Sequence, residues 1–186
     1  MPASLRTVVL VEGESDRMAV MTLAARLGRD LPADGVEVRP LGGITNAPRE
    51  IVALTATPSV RLAGLYDAAE EYVVRRGLRR AGLGSALPRD EIAGLGFFVC
   101  VEDLEGELIR ALGTDRVVEV IGAAGETRPW ETMRHQPAQE GRPIDAQLRR
   151  FMGTRGGRKI RYGTLLADAL DLGRIPTPLA ALLDHV

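Results

Sequence analysis

The sequence predicts an α/β fold, a mostly parallel sheet of about four strands with helices on both faces. Three observations support this prediction. Short apolar runs rich in β-branched residues recur along the first hundred residues, helix-forming segments separate them, and the runs lack the strict alternation of a sheet with one solvated face. The chain has 186 residues, of which 45% are hydrophobic and 26% charged, as is typical of a globular protein.

The first element is the apolar run RTVVLV, and the other predicted strands have a similar apolar composition. The predicted strands are residues 6–11, 36–40, 61–66 and 96–101. Helices are predicted between and after them at 18–27, 46–54, 68–81, 104–112 and 116–123. Apolar residues in the first helix recur at three- and four-residue intervals, which indicates one buried face. Strands that alternate with helices are typical of right-handed crossovers in a parallel sheet.

The composition of the chain becomes more polar and richer in proline near Gly125. Residues 126–141 contain two prolines and several polar residues, and they are predicted to form a polar connection. Helical segments then follow at 144–151, 159–170 and 179–186. We therefore expect an α/β domain over residues 1–124 and a small C-terminal helical extension over 125–186, packed on it.

The composition excludes several classes of protein. The net charge of −1 provides no overall basic field for nucleic acid or anionic membranes. The single cysteine, Cys100, excludes a disulfide framework and a cysteine-based zinc site. No apolar stretch has the length of a signal peptide or a transmembrane helix, so we expect a cytoplasmic protein without membrane contact.

Acidic residues follow three of the predicted strands. The first group is Glu12 and Asp16, the second is Asp67 with Glu70 and Glu71, and the third is Glu102, Asp103 and Glu105. In open α/β sheets ligands bind beyond the carboxyl ends of the strands, and clustered carboxylates repel one another unless a cation lies among them. Oxygen ligands suit Mg²⁺ or Mn²⁺. The alternative is that each acid caps the following helix, which explains Glu12 least well.

Basic residues cluster near the C-terminus and include the only lysine, Lys159, among 23 arginines. Within thirteen residues lie Arg149, Arg150, Arg155, Arg158, Lys159 and Arg161, with no acid between them. A basic stripe opposite a metal site would suit phosphodiester chemistry, with Arg155, Arg158 and Arg161 as the predicted phosphate-binding residues. A solvated surface is the alternative. The segment does not fit a P-loop, because Ile160 stands where Ser or Thr is required.

Four segments together resemble TOPRIM domains, the Rossmann-like fold of topoisomerases and primases. VLVEGESD resembles their first motif, and Asp67 in LYDAAEE lies where they carry Asp-x-Asp. DLEGEL and KIRYGTLLADAL resemble motifs of the overcoming-lysogenization-defect (OLD) nucleases. This resemblance implies a metal-dependent DNA endonuclease. Glu12 would be a metal ligand or general base and Lys159 a catalytic cation, and the predicted metal ligands are Glu12, Asp16, Asp67, Asp103 and Glu105.

The sequence departs from this family in two respects. Ala69 replaces the second acid of Asp-x-Asp, so Glu70 or Glu71 would have to substitute, or the second of two metal ions would bind weakly or be absent. OLD proteins usually carry an ATPase domain, and no P-loop is present in this sequence, so we expect a standalone TOPRIM protein that could act with a separate ATPase or as a homodimer. The competing hypothesis is a catalytically degenerate TOPRIM module that binds nucleic acid or a partner ATPase.

Overall fold

The computed structural model describes residues 6–154 and 156–186 as a four-stranded sheet covered by helices. The strands are β1 (Arg6–Val11), β2 (Val36–Pro40), β3 (Val60–Asp67) and β4 (Phe97–Cys100). The helices are α1 (Glu14–Arg26), α2 (Ala47–Thr55), α3 (Glu71–Arg80), α4 (Arg89–Gly94), α5 (Leu104–Leu112), α6 (Thr114–Ala123), α7 (Thr127–Arg134), α8 (Ile144–Gly153), α9 (Gly156–Ala169) and α10 (Thr177–His185). No helix in these two ranges combines the length and apolarity needed to cross a membrane.

All four strands are parallel and lie in the order β2-β1-β3-β4. Because β1 and β3 are neighbours at the centre, with Leu10 opposite Gly64, their carboxyl ends meet at one edge of the sheet. β4 is the next strand, with Cys100 opposite Asp67. The predicted parallel α/β sheet is confirmed, and the bounds of β2 and α5 are those that the sequence predicts.

Side chains of β1 alternate between two apolar layers. Val9 and Val11 are completely buried against a layer that includes α1 and α5 to α10. Val8 and Leu10 point into a smaller layer formed with α2, α3 and α4. The period of two residues in a strand thus divides one apolar run between two cores, as expected for a sheet covered on both faces.

The predicted polar connection at 126–141 is wrong, because this segment contains α7. Trp130 is completely buried, and its ring meets Phe151 edge-on at a centroid distance of 5.5 Å. Met133, one turn later, is also buried. Pro129 suggested a helix break, but it lies in the first turn of α7, where a missing amide hydrogen is tolerated. Helices on both sides of residue 124 share one core, and the domain boundary there stays a prediction.

Helix α1 begins four residues earlier than predicted, directly after the first strand. Gly13 precedes the helix, and its backbone N–H donates to Asp16 Oδ2 at 2.8 Å. This bond satisfies one of the free amides at a helix N-terminus. It also fixes the Asp16 carboxylate close to the end of β1.

Candidate metal centre

Three carboxylates meet where β1 and β3 end. Glu12 follows β1, Asp67 is the last residue of β3, and Glu70 ends the 3₁₀ turn that follows. One carboxylate oxygen from each residue lies within 4.8 Å of the other two. We call these residues the Glu12 group. Glu12, Asp67 and Asp103 are expected to converge at one edge of the sheet, and the structure confirms this for Glu12 and Asp67, because adjacent parallel strands end at the same edge.

Glu70 and Glu71, the two predicted substitutes for the acid missing at position 69, have different surroundings. Glu71 accepts hydrogen bonds from Arg75 and Arg89, which hold it away from the Glu12 group. Glu70 Oε2 is buried and has no hydrogen-bond partner among the described residues. A buried carboxylate oxygen without a partner is costly, and a bound cation would relieve that cost.

Burial and the charge of Glu12 raise the pKa values of Asp67 and Glu70. Burial raises the pKa of Asp67 from 3.8 to about 8, and the charges of Glu12 and Asp103 add to the effect. Burial and the charge of Glu12 also raise the pKa of Glu70. Without a cation, the site therefore holds a proton at neutral pH. A divalent ion would displace that proton and restore the charged carboxylates.

The Glu12 group fits one hard divalent ion. Mg²⁺ binds oxygens at about 2.0–2.1 Å, so two ligands on opposite sides of the ion lie roughly 4.2 Å apart. The oxygens here lie within 4.8 Å of one another, so rotation of the side chains could close the remaining distance. All three donors are carboxylates, the ligand type that Mg²⁺ and Mn²⁺ prefer.

A second set of carboxylates, Asp16, Asp103 and Glu105, lies beside the first, and we call it the Asp16 group. Asp16 is only 8% exposed. Burial, together with the charge of Glu105, raises the pKa of Asp16 to about 7. Burial also raises the pKa of Glu105, although Lys159 opposes that shift from 3.4 Å away. The two groups influence each other, since the charges of Asp103 and Asp16 contribute to the raised pKa of Asp67.

Both oxygens of Asp103 are engaged by protein donors. Oδ1 accepts the backbone N–H of Gly106 at 2.8 Å and caps α5. Oδ2 accepts two hydrogen bonds from Arg149, from Nη2 at 2.5 Å and from Nε at 3.2 Å. The neighbouring Glu102 also contacts Arg149, at 3.3 Å. The sequence indicates acids at this position but does not predict that Arg149 neutralises them.

Lys159 reaches the site from α9, far along the chain. Its side chain is 46% exposed. Burial lowers the pKa of this ammonium, but the negative charges of Glu105, Asp16 and Glu12 outweigh that effect and raise the pKa overall. Lys159 therefore stays protonated at neutral pH, and part of its side chain faces solvent where a substrate could approach.

Gly163 allows α9 to lie close enough to α1 for this contact. A Cβ atom at Gly163 would lie 2.5 Å from the backbone oxygen of Ser15, which no real packing tolerates. Ser15 precedes Asp16, and Gly163 follows Lys159 by one helical turn. The glycine therefore sets the distance between Lys159 and Asp16. A glycine inside a predicted helix was the only sequence signal for this role.

Two of the arginines predicted to bind phosphate, Arg158 and Arg161, have different surroundings. Arg158 is only 7% exposed, donates to Glu126 at 2.8 Å and stacks on Phe151 at 4.1 Å. Its other contacts are with Thr154 and the Phe151 carbonyl, so protein groups engage this guanidinium, and its role in phosphate binding stays a prediction. Arg161 is half exposed and donates to the Ala124 carbonyl at 2.9 Å. Arg155 lies outside the described residues.

The first part of the chain is similar to a known protein family. Residues 5–67 match the family described as "Overcoming lysogenization defect protein-like, TOPRIM domain". This range contains Glu12, Asp16 and Asp67. No curated protein matches the chain in sequence.

Solved structures match nearly the whole chain. The mercury-phased C-terminal region of the Xanthomonas campestris pv. campestris OLD protein is 25% identical, with a TM-score of 0.70, and the match covers 100% of this chain and 95% of that one. The platinum-phased form is 23% identical, with a TM-score of 0.72 and coverage of 97% and 91%. The C-terminal region of the Burkholderia pseudomallei OLD protein is 20% identical, with a TM-score of 0.71 and coverage of 97% and 96%.

Proposed function

We propose that the chain, whose residues 5–67 match the OLD-like TOPRIM domain and whose fold resembles the C-terminal region of OLD proteins, hydrolyses DNA phosphodiesters with the help of Mg²⁺ or Mn²⁺. The observation that carries this proposal is the Glu12 group. It contains a buried carboxylate oxygen without a partner and lies near a protonated lysine that solvent can reach. This combination could hold a cation on one side of a phosphate and an ammonium on the other.

Each residue has a distinct proposed role. Glu12, Asp67 and Glu70 would hold the ion, and Glu12 could also accept the proton of the attacking water. The ion, when bound, polarises a phosphate oxygen and lowers the pKa of water. Lys159 would donate to a non-bridging phosphate oxygen and stabilise the charge that develops there. The partly exposed ammonium lies near Asp16 and Glu105, which keep it charged before substrate binds.

The remaining partners are proposals of the same kind. Nucleic acid, with DNA as the expected polymer, is the substrate, and a separate ATPase chain could supply the activity that OLD proteins combine with a TOPRIM domain. The neutralised state of Asp103 favours the second candidate function, a degenerate TOPRIM module that binds nucleic acid or an ATPase without cleaving. Activity assays distinguish the two candidates.

The decisive test is cleavage of supercoiled plasmid DNA by the purified chain in Mg²⁺ or Mn²⁺. We expect nicking or linearisation that chelator abolishes. The variant Glu12→Gln should lose activity by on the order of a hundredfold or more, because it keeps the shape of the side chain and removes its charge. Glu14→Gln is the matched control, since Glu14 contacts Arg17 at 2.5 Å and is not a member of the Glu12 group.

Three results would contradict the proposed nuclease. These are cleavage that persists in excess chelator, cleavage that persists in folded Glu12→Gln, and the absence of cleavage with either ion on duplex and single-stranded DNA. The last result, together with retained DNA binding, would support the degenerate module instead.

A further inference from the structure

We propose that Arg149 is a built-in counter-ion that takes the place of a second divalent ion, so that each chain binds one catalytic ion and not two. The inference rests on the proposed function only in assuming that the Glu12 group binds a divalent ion. It assigns the Asp16 group, whose members are among the metal ligands that the family resemblance implies, to neutralisation by the protein's own cations.

The contacts of Arg149 match those of a fixed ion pair. Its guanidinium donates twice to Asp103 Oδ2, at 2.5 and 3.2 Å, and its Nη1 lies 3.3 Å from Glu102 Oε1. Two neighbouring carboxylates therefore share one planar cation. A guanidinium presents its donors in a rigid fork that suits this arrangement, and the hydrogen bonds are assisted by charge on both partners.

Metal binding by Asp103 would have to displace protein contacts. Oδ1 caps α5 through Gly106, and Oδ2 is occupied by Arg149. An ion that used Oδ2 would release the guanidinium, whose side chain is 31% exposed, and would add two positive charges beside it. An ion that used Oδ1 would compete with the helix cap. Either route costs free energy that binding at the Glu12 group does not.

The balance of charge separates the two groups. The three acids of the Asp16 group and the neighbouring Glu102 face three protein cations: Arg149 at Asp103 and Glu102, Arg110 at Glu102, and Lys159 at Glu105. The three acids of the Glu12 group have no cation within 4.0 Å among the described residues. A divalent ion is therefore attracted to the Glu12 group, while the Asp16 group has little net charge left to bind a second one.

The position of Arg149 in the chain adds a structural consequence. It lies on α8, whereas Glu12, Asp67 and Asp103 lie at strand ends of the sheet. Together with Lys159 on α9, it makes the C-terminal helices supply the cations of a site whose acids belong to the sheet. The alanine at position 69 is consistent with this arrangement, since a site for one ion needs fewer acids than a site for two.

Titration of the purified chain with Mn²⁺ tests the inference without any measurement of cleavage. Calorimetry and electron paramagnetic resonance should report one ion per chain and no spin-coupled pair. Arg149→Ala should bind a second ion at least tenfold more tightly than the wild type does, because Asp103 loses its only cation and Glu102 keeps only Arg110. Arg150→Ala is the matched control, since it makes the same charge change at the next residue and should bind one ion.

A second variant keeps the test decisive if Arg149→Ala does not fold. Asn at position 103 can still cap α5 but is a weaker metal ligand, so Asp103→Asn should still bind one Mn²⁺ per chain, with affinity changed only by the loss of a neighbouring charge. Two ions per wild-type chain, a loss of the bound Mn²⁺ in folded Asp103→Asn, or a single ion in folded Arg149→Ala would overturn the inference, while the proposed nuclease would stand. The absence of Mn²⁺ binding would overturn both.

Discussion

Two groups of three carboxylates lie side by side at one edge of the sheet, yet their surroundings are opposite. The Glu12 group has a buried oxygen without a partner and no protein cation in contact among the described residues. The Asp16 group is bound by Arg149, by Lys159 and by backbone amides. The comparison teaches that an acid at the end of a strand does not by itself indicate a metal ligand. What matters is whether the charge is already neutralised by the protein.

The largest expected effect on cleavage comes from Glu70, a member of the Glu12 group, and its neighbour Glu71 serves as the control. Glu70→Gln should lower the rate of metal-dependent DNA cleavage by on the order of a hundredfold, because it removes an anionic ligand. Glu71→Gln should cleave at close to the wild-type rate, since Glu71 contacts Arg75 and Arg89 instead. Plasmid nicking at saturating Mn²⁺ measures both. Equal losses of cleavage rate in the two folded variants would show that Glu70 and Glu71 do not differ in their role at the metal site.

The next largest effect on cleavage is expected at the Lys159 ammonium, which lies 3.4 Å from Glu105. Lys159→Arg keeps the charge but replaces a compact ammonium by a wider planar fork, so contact with one phosphate oxygen should be impaired. We expect DNA affinity near the wild-type value and a single-turnover cleavage rate lower by about a hundredfold. Fluorescence anisotropy and quench-flow measurements separate binding from rate. An unchanged rate would make Lys159 a counter-ion for Glu105 and nothing more.

A smaller effect is expected where α9 packs on α1. Gly163→Ala places a methyl group against the Ser15 backbone, so α9 must shift and carry Lys159 away from Asp16. Overpacking of this kind costs roughly 1–3 kcal/mol in the free energy of unfolding, and cleavage should fall as well. Gly157→Ala in the same helix is the control, because no atom lies within 4 Å of its Cβ position. Denaturant melts measure both, and equal stabilities would contradict the close contact.

The smallest effect is the pH dependence of the metal-free protein. Burial raises the pKa of Asp67 to about 8 and that of Asp16 to about 7, both from 3.8, so the folded state holds protons that the unfolded state releases. Stability should therefore fall as pH rises from about 4 to 8. Asp67→Asn should remove ~1–2 kcal/mol of that fall, a figure reduced for solvent screening.

Thermal melts in chelator at pH 5 and pH 8 measure this effect. Saturating Mg²⁺ should also reduce the pH dependence in the wild type, because bound metal replaces the proton, but not in Asp67→Asn. If the melting temperature of Asp67→Asn fell with pH as steeply as that of the wild type, Asp67 would not be a major source of the pH dependence. Such a result would also argue against an un-neutralised Glu12 group beside a neutralised Asp16 group.

Local sequence patterns were sufficient to predict most of the fold and to place Glu12 and Asp67 at the candidate site. The β-branched runs predicted a parallel sheet because a strand buried on both faces must be apolar throughout. Glu12 and Asp67 were predicted together, since neighbouring parallel strands end at one edge. The buried helix around Trp130 was missed because its prolines and polar residues resemble a loop, and only tertiary packing shows that Trp130 meets Phe151.

Tertiary structure alone decided which carboxylates are free. The sequence by itself determined which residues are acidic, that they follow strands, and that one lysine stands among many arginines. It contained no signal that Arg149, 46 residues after Asp103, would bind that carboxylate, or that Arg158 would turn inward to Glu126. The physical reason is range: strand and helix periodicity arise from neighbouring residues, whereas the pairing of charges depends on how distant helices pack on the sheet.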